Sequence, residues 1–254
     1  MLFTKKDIGI IKEIAWADFK LKYSSSILGF FWSLLNPLLM LSVLFLVFSV
    51  LLKWEIENYQ LFLLLGIVLW NFFVESTTRG MSGILDRAAL IKKIYFKREI
   101  LIIAACLTSF FTLMLNIVVF LGFMVIFKAK VRLPVLYFPI ILAELFILSM
   151  GLSFGLSAFY TKYRDMQHIW VVVLNLGFFI TPIIYPTSNV PADYLKLYML
   201  NPMARIISDS REIFIAQHLP GLWPLAITVI MCLAIFFIGY LIFNKRKTHF
   251  AEEI

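Results

Sequence analysis

The sequence predicts an all-α integral membrane protein with six transmembrane helices, and three observations lead to this fold class. Of the 254 residues, 62% are hydrophobic and 15% are charged, whereas about a quarter of the residues in a soluble domain are charged. The mean hydropathy is +0.93. The apolar residues also fall into runs of about 20, the length of a helix that crosses a bilayer. We therefore expect one transmembrane domain with short polar connections.

Residues 1–23 are predicted to form an amphipathic helix that lies at the membrane interface without crossing it. Thr4 and Asp7 have the spacing of a helix N-cap and a first-turn acid. Apolar residues then recur at helical spacing, at Ile8, Ile11, Ala15 and Phe19. The lysines lie off this face, as in interfacial helices, and an ordinary solvated helix is the alternative. No cleavable signal peptide is expected, because the segment is charged throughout.

The six apolar runs define the predicted spans, which are 27–52, 61–78, 100–127, 134–160, 169–185 and 222–243. Pro37 lies inside the first span and removes one backbone donor, so we expect a kink or break near Asn36. In the fourth span, Gly151 and Gly155 have the spacing of small residues that allow two helices to pack closely. We therefore expect this span to contact another helix along that face.

The polar segments indicate the topology, because Lys and Arg concentrate on the cytoplasmic side of a membrane. With the N-terminus inside, the inside segments hold sixteen Lys and Arg residues and the outside segments hold seven. Both termini are therefore predicted to be cytoplasmic, with a tail at 244–254. Residues 79–99 form a charged cytoplasmic segment with helically spaced apolar residues, which suits a helix that lies on lipid or docks a partner. Residues 187–221 are predicted to form two short amphipathic helices outside.

Few residues could carry chemistry inside the membrane. Glu75 and Arg79 are four residues apart, the spacing of an ion pair on a helix. Glu144 lies near mid-depth of its span, where a carboxylate is either functional or held neutral by its surroundings. The sequence contains no phosphate-binding loop, HExxH motif or nucleophile elbow, so no catalytic or metal-binding residue is predicted. Ion-coupled transport therefore has few candidate relays beyond Glu144.

Aromatic residues share a face on two of the predicted spans. In the fifth span this face carries Trp170, Phe178 and Tyr185. In the first span, Trp32 and Asn36 lie on a common face. An aromatic face with few charges suits sugar rings, which stack on aromatic side chains. Packing or lipid-facing aromatics are the alternative interpretation.

Six segments resemble motifs of one transporter family, in the same order along nearly the whole chain. They are FKLKYSSSILGFFWSLLNPLL (19–39), LLLGIVLWNFF (63–73), LIKKIYFKREIL (90–101), YRDMQHI (163–169), TPIIYP (181–186) and LNPMARII (200–207). Through these segments the chain resembles the permeases of ABC exporters that move cell-surface polysaccharides. It is most similar to the O-antigen exporter permeases (Wzm type), and teichoic-acid and capsule exporter permeases are near relatives.

The resemblance implies a homodimer of six-span subunits in the bacterial inner membrane, paired with two separate ATP-binding subunits. ATP and Mg would be bound by those subunits, so this chain would bind no cofactor and would not be an enzyme by itself. The implied substrate is an undecaprenyl-diphosphate-linked polysaccharide that passes from cytoplasm to periplasm through a channel at the dimer axis. No nucleic-acid partner is implied. The alternative from another class is a membrane-embedded enzyme on polyprenyl-linked lipids, with Glu144 as base.

The resemblance also implies roles for individual residues. Residues 79–99 would be the coupling helix, which contacts the ATPase through Leu90, Ile91, Lys92, Lys93, Tyr95 and Phe96. The cytoplasmic entrance would attract the lipid diphosphate through Lys20, Lys22 and Arg98. The channel wall would include Trp32, Asn36, Trp170, Phe178 and Tyr185. Residues 187–221 would form periplasmic gate helices.

Overall fold

The computed structural model describes residues 4–24, 29, 31–89 and 97–248, and this part of the chain contains helices and turns without a strand. The longer helices are α1 (Lys5–Ser24), α2 (Phe31–Phe45), α3 (Tyr59–Ser82), α4 (Glu99–Ile126), α5 (Phe138–Tyr160) and α6 (Met166–Ile180). They are followed by α7 (Ala192–Tyr198), α8 (Pro202–Arg211) and α9 (Leu222–Arg246). The predicted all-helical fold class is confirmed.

Five stretches of the described residues are long and apolar enough to cross a membrane. They are Phe31–Leu51, Tyr59–Ser82, Glu99–Ile126, Leu133–Tyr160 and Leu222–Arg246. The predicted span at 169–185 corresponds to α6, which has 15 residues, fewer than the roughly 20 that a crossing helix needs. Helix α6 ends before Thr181, whose backbone is extended, because a residue that precedes a proline is pushed out of the helical region. A sixth crossing stays a prediction.

Helix α3 forms the centre of the bundle. Every residue from 61 to 70 is buried, and α3 packs against both α4 and α5. By contrast, α2, α6 and α9 leave large apolar side chains exposed along their lengths. Wide exposed apolar faces mark surfaces that contact a membrane or another protein. The bundle therefore buries α3 and presents α2, α6 and α9 to lipid or to a partner.

Helices α5 and α9 approach each other where glycines replace larger residues. A β-carbon on Gly151 would lie 2.5 Å from the Cα of Phe236, and a β-carbon on Gly239 would overlap the Gly151 carbonyl. A side chain at either position would therefore push the two helices apart. Gly155 also faces Gly239. The predicted close packing through Gly151 and Gly155 is confirmed, with α9 as the partner helix.

Helix α1 begins with the predicted N-cap. The backbone N–H of Thr4 donates to Asp7 Oδ2 at 2.8 Å, and the N–H of Asp7 donates to Thr4 Oγ1 at 3.2 Å. This reciprocal pair satisfies two donors that a helix start leaves open. Ile11 and Ala15 are buried against α4. The middle of the predicted apolar face of α1 therefore packs on the bundle, whereas Ile8 at its start is exposed.

One predicted break is wrong, and two helices extend beyond the predicted ends of their spans. No break occurs near Asn36, because α2 runs unbroken through Pro37, where a single proline removes only one of the helix's hydrogen bonds. The irregularity lies later, in the π-helical turn Leu46–Leu51. Helix α3 continues to Ser82 and α9 to Arg246, beyond the predicted ends at 78 and 243. Helical hydrogen bonding propagates past the end of an apolar run, which hydropathy alone does not register.

The coupling segment at 79–99 is not one helix in the described residues, contrary to the prediction. Arg79 belongs to the last turn of α3, which ends before Gly83. A 3₁₀ turn at Leu85–Arg87 follows, and Glu99 already belongs to α4. Glycine disfavours helix continuation because of its backbone entropy. The predicted ATPase contacts lie outside the described residues, and these are Leu90, Ile91, Lys92, Lys93, Tyr95 and Phe96.

The two helices predicted within 187–221 are confirmed as α7 and α8. The side chain of Asn201 caps α8 by accepting from the backbone N–H of Met203 at 3.0 Å, and Pro202 occupies the first helical position. Seven of the ten residues of α8 are buried, against α3, α5 and α9. Helix α8 is therefore part of the packed bundle.

Candidate functional site

A cleft of about 580 Å³ opens between α1, α2, α3 and α4. We call it the charged cleft. Its lining side chains are Lys22 from α1; Trp32, Ser33, Asn36 and Pro37 from α2; Asn71, Val74, Glu75, Thr78 and Arg79 from α3; and Thr112 and Asn116 from α4. Polar and charged residues within apolar helices are costly and mark functional positions. Their concentration here makes this cleft the candidate site.

Three charged side chains meet in the charged cleft. Lys22 Nζ lies 2.7 Å from Glu75 Oε1, and Arg79 Nε lies 3.1 Å from the same oxygen. The predicted pair between Glu75 and Arg79 is confirmed, and the structure adds Lys22. Lys22 Nζ also donates to Thr112 Oγ1 at 3.2 Å. Because two cations share one carboxylate, the three side chains together carry a net positive charge.

A second cleft, of about 380 Å³, shares Lys22 and Arg79 with the charged cleft. We call it the outer cleft. Its lining also includes Asp18, Asp86 and Arg87. Asp18 and Arg87 form an ion pair, which ties α1 to the turn that follows α3. Lys22 and Arg79 therefore stand at the boundary between the two clefts.

The other polar groups of the charged cleft suit a hydroxyl-rich ligand. Asn36, Asn71 and Asn116 supply amide groups, which offer both donors and acceptors. Trp32 is 50% exposed, and an indole ring provides an apolar face for stacking. The two cations add groups that bind phosphate oxygens through charge-assisted hydrogen bonds. The cleft thus combines anion-binding and sugar-binding chemistry.

The structure separates the three residues predicted at the lipid-diphosphate entrance. Lys22 lines both clefts. Lys20 instead lies over the Trp16 ring, with Nζ 5.4 Å from the ring centroid. Arg98 occupies the N-cap position of α4 and lines neither cleft. Arg79, predicted only as the partner of Glu75, takes a place beside Lys22.

The five residues predicted for the channel wall also fall into separate groups. Trp32 and Asn36 lie together in the charged cleft. Trp170 Nε1 donates to Thr77 Oγ1 at 3.1 Å, and the Phe178 ring packs edge-on against Trp70, so both side chains face α3. The Tyr185 hydroxyl lies beyond the end of α6, where it donates to the carbonyls of Phe179 and Ile180. The structure therefore brings only Trp32 and Asn36 together.

Sequence reasoning overlooked five polar residues of the charged cleft, namely Ser33, Asn71, Thr78, Thr112 and Asn116. All five lie inside apolar runs that were interpreted only as spans. An amide within such a run is a signal, because polar residues in membrane helices usually face a cavity or a partner. The side chain of Asn116 also donates to the Thr112 carbonyl at 3.0 Å. That bond fixes the amide at the cleft wall.

Arg211 lies at the opposite end of α3 from the charged cleft. Its guanidinium is buried and stacks over the Phe62 ring, 3.3 Å from the ring centroid. Nη2 donates to the carbonyls of Ile183 at 2.8 Å and Phe62 at 3.1 Å, and Nη1 donates to the Pro182 carbonyl. Arg211 therefore joins α8, the start of α3 and the segment after α6. The sequence indicated it only as one charge of an outside segment.

Glu144 is buried in α5, and neither of its carboxylate oxygens has a hydrogen-bond partner among the described residues. Asp209 of α8 and Cys232 of α9 are its titratable neighbours. Burial raises the pKa of Asp209, which lies outside the spanning helices, to about 7; the Glu212 carboxylate adds to this rise and Arg205 opposes it. Glu144 lines none of the clefts described above. It belongs to the packed core beside α8.

The helices and the charged cleft together are those of a multi-pass membrane protein with a polar site among its helices. The family model of ABC-2 type transporters (ABC2_membrane) matches residues 10–215, which include every residue of both clefts. The chain therefore belongs to the ABC-2 type transporter family. Within the described residues, no group of His, Cys, Asp and Glu side chains could hold a metal ion.

Three relatives show which members of the family this chain is similar to. The O-antigen export system permease protein RfbA of Myxococcus xanthus is 29% identical over 97% of this chain and 95% of the relative. RfbA of Klebsiella pneumoniae is 30% identical, over 92% and 91%. The polysialic acid transport protein KpsM of Escherichia coli is 22% identical, over 93% of each chain. The RfbA relatives are permease subunits, which are not enzymes by themselves.

Proposed function

We propose that this chain is the membrane subunit of an ATP-driven exporter that moves an undecaprenyl-diphosphate-linked O-antigen polysaccharide from cytoplasm to periplasm. The observation that carries the proposal is the charged cleft. It places Lys22 and Arg79 beside three amides and an exposed indole, among helices of lipid-compatible composition. A lipid-linked glycan has the matching parts: a diphosphate, a sugar chain and an apolar tail. The similarity to RfbA proteins supports O-antigen as the glycan.

The diphosphate, the sugars and the polyprenyl tail of the substrate would each contact a different surface of the protein. Lys22 and Arg79 would attract the diphosphate, since ammonium and guanidinium groups bind phosphate oxygens. The first sugars would meet Trp32 and the amides of the charged cleft. The polyprenyl tail would remain in the bilayer beside α2, whose Leu39 and Val43 are exposed. In this arrangement the protein shields only the polar part of the substrate from the hydrocarbon.

Energy would come from a separate ATP-binding subunit that docks at residues 90–96. Support comes from the ion pairs on both flanks of this segment. Arg87 pairs with Asp18 before it, and Lys97 Nζ lies 2.7 Å from Asp7 Oδ2 after it. The hydrogen bond from Lys97 lowers the pKa of Asp7, as expected for a carboxylate that a cation stabilises in its charged form. Both flanks are thus anchored to α1, which would carry movement of the docking segment to the charged cleft.

We further propose that two copies of this chain and two ATPase subunits form the exporter in the bacterial inner membrane. Both termini of the chain would face the cytoplasm. The channel would lie at the dimer axis. The exposed apolar faces of α2, α6 and α9 provide surface for both the lipid and the second copy.

The docking proposal is tested by Ile91→Glu and Tyr95→Glu, each of which would place a charge on the apolar contact surface. We expect loss of ATPase co-purification and of ATPase stimulation by the permease. Leu197→Glu is the matched control, because Leu197 is exposed on α7 at the other end of the bundle. Undiminished co-purification and stimulation of the Ile91 and Tyr95 variants would contradict docking at this segment.

The substrate proposal is tested in a strain that lacks the chain. We expect lipid-linked O-antigen to accumulate on the cytoplasmic face and complementation with the wild-type chain to remove it. Lys22→Gln should complement about tenfold less well, because it loses a charge-assisted contact of about 1.5–3 kcal/mol, whereas Lys20→Gln should behave as wild type. Accumulation of a capsule or teichoic-acid intermediate instead would identify another exported glycan. Turnover of a polyprenyl-linked lipid by the purified chain alone would favour the enzyme alternative.

A further inference from the structure

Both cations of the charged cleft are held by one carboxylate oxygen. Lys22 Nζ and Arg79 Nε contact Glu75 Oε1 at 2.7 Å and 3.1 Å. The three side chains come from two helices, α1 and α3, so the contact also joins these helices. The side chains of Lys22, Glu75 and Arg79 are 21%, 23% and 34% exposed. The ion pairs are therefore accessible from the cleft and open to exchange with a ligand.

The same ion pairs lie on the boundary between the two clefts. Lys22 and Arg79 line both clefts, whereas Glu75 lines only the charged cleft. A ligand in the outer cleft therefore meets the two cations before it meets Glu75. Asp18 and Asp86 also line the outer cleft. Because the two cations line both clefts, an anion in the outer cleft can reach them and exchange with Glu75.

The charges determine which ligands can make that exchange. The side chains that line the two clefts include three cations, Lys22, Arg79 and Arg87, and three carboxylates, Asp18, Glu75 and Asp86. An entering anion must therefore displace a carboxylate from its cations. A diphosphate carries more oxygens and more negative charge than one carboxylate, so it can contact Lys22 and Arg79 together through charge-assisted hydrogen bonds. A neutral sugar or a lipid alcohol cannot replace the carboxylate, because the cations would be left without a counterion at the wall of an apolar bundle. The exchange therefore selects for an anionic headgroup.

We propose that Glu75 is a resident counterion, which the diphosphate of the lipid carrier displaces from Lys22 and Arg79. This inference rests on the proposed function and assigns a role to Glu75 within the same site. In the empty protein Glu75 orients the two cations. In the loaded protein it is released from them, and its return helps to expel the diphosphate. Glu75 thus weakens substrate binding in order to permit turnover.

The test measures binding to the full-length chain, together with its ATPase, in phosphatidylcholine nanodiscs. The probes are farnesyl diphosphate and farnesol, which differ only in the diphosphate. Glu75→Gln keeps the shape of the side chain and removes the competing charge, so it should bind farnesyl diphosphate roughly five- to tenfold tighter. Farnesol binding should not change. Glu57→Gln is the matched control, because it removes one negative charge from an exposed residue outside both clefts.

A second variant keeps the test informative if Glu75→Gln does not fold. Glu75→Asp retains the charge and shortens the side chain by one methylene, which loosens its contact with both cations. We expect it to tighten farnesyl diphosphate binding by a smaller factor, roughly two- to threefold. Folding of each variant is checked by co-purification with the ATPase. Unchanged or weaker diphosphate binding in the folded variants would overturn the role of Glu75.

Two further binding measurements distinguish a failure of this inference from a failure of the proposed function. If the wild-type chain binds farnesyl diphosphate no better than farnesol, the diphosphate site of the proposed function fails, and the role of Glu75 falls with it. If phosphatidylglycerol in the nanodisc competes as strongly as the diphosphate at equal concentration, the site takes any phosphate headgroup, and the assignment to the lipid carrier is overturned. Weak competition by phosphatidylglycerol supports the carrier diphosphate as the displacing anion.

Discussion

The two ends of α3 hold positive charge inside the bundle in opposite ways. At the charged cleft, Lys22 and Arg79 pair with the carboxylate of Glu75 and remain partly exposed. At the other end, Arg211 is buried and donates to backbone carbonyls, including those of Pro182 and Ile183. A side-chain counterion on a cleft wall can be exchanged for a ligand. A backbone carbonyl cannot move away without unfolding its own segment.

This difference distinguishes charges that a ligand could reach from charges that stabilise the fold. Charged residues in membrane segments are functional candidates by default, and Lys22, Glu75 and Arg79 in the charged cleft are such candidates. Arg211 shows the other use, in which a guanidinium supplies donors to carbonyls that the proline-rich segment 181–186 leaves without helical partners. Exposure and the type of partner distinguish the two uses better than the presence of charge does.

The largest effect is expected from removal of the Arg211 guanidinium. Arg211→Met should destabilise the protein by roughly 3–5 kcal/mol, because buried carbonyls lose their donors. The measurement is thermal unfolding of the purified chain in detergent. Arg205→Met is the control on the same helix, where Arg205 is only partly buried, and its effect should be smaller. Equal effects of the two variants would show that Arg211 has no special structural role.

Asp209→Asn tests the charge balance beside Arg211. The raised pKa of about 7 means that the folded protein prefers neutral Asp209, so wild-type stability should fall as the pH rises from about 4 to about 7. The full shift corresponds to at most roughly 4 kcal/mol. Asparagine stays neutral, so the variant should be more stable than wild type at pH 8 and similar at pH 4. Parallel pH profiles of unfolding temperature for the two proteins would contradict this assignment.

Two glycine substitutions compare the tight packing beside Arg211 with the open space around the start of α1. A β-carbon on Gly66 would lie 2.8 Å from Arg211 Nη2 and 3.3 Å from the Ile183 carbonyl, so Gly66→Ala should destabilise by about 1–3 kcal/mol. Gly9 in α1 has open space around it, so Gly9→Ala should stabilise α1 by up to about 1 kcal/mol. Thermal unfolding measures both. The same sign of effect for both variants would contradict the difference in packing.

The smallest effect is expected at the Asp18–Arg87 pair beside the outer cleft. Asp18→Arg or Arg87→Asp alone should cost about 1 kcal/mol, because the two side chains are only partly buried, at 18% and 20% exposed, and a pair that water still reaches contributes little. The double variant should recover most of the loss, and 1 M salt should reduce all three differences. The measurement is a double-mutant cycle of unfolding temperature at low and high salt. Additive losses in the double variant would show that the two residues do not interact.

Sequence patterns predicted local structural features better than they predicted which side chains meet in the folded protein. The cap at Thr4 and Asp7 and the pair of Glu75 with Arg79 depend on neighbours within one or two helical turns, so spacing alone identified them. The spacing of Gly151 and Gly155 is also local, although their partner helix α9 is distant in sequence. Trp170 and Phe178 show the limit, because a shared helical face does not say whether it borders a channel or α3. Here both side chains pack towards α3.

Composition and periodicity suffice for the membrane class, the order of the helices and the short helices near residue 200, because a bilayer requires long apolar helices. Family-specific segments suffice for the kind of transporter. The tertiary structure alone decided that Lys22 joins Glu75 and Arg79, and that Asn71 and Asn116 face the same cleft. The physical reason is that this site is assembled from α1 to α4, whose facing sides are set by packing in three dimensions. No local pattern encodes the distance from Lys22 to Glu75, which are 53 positions apart.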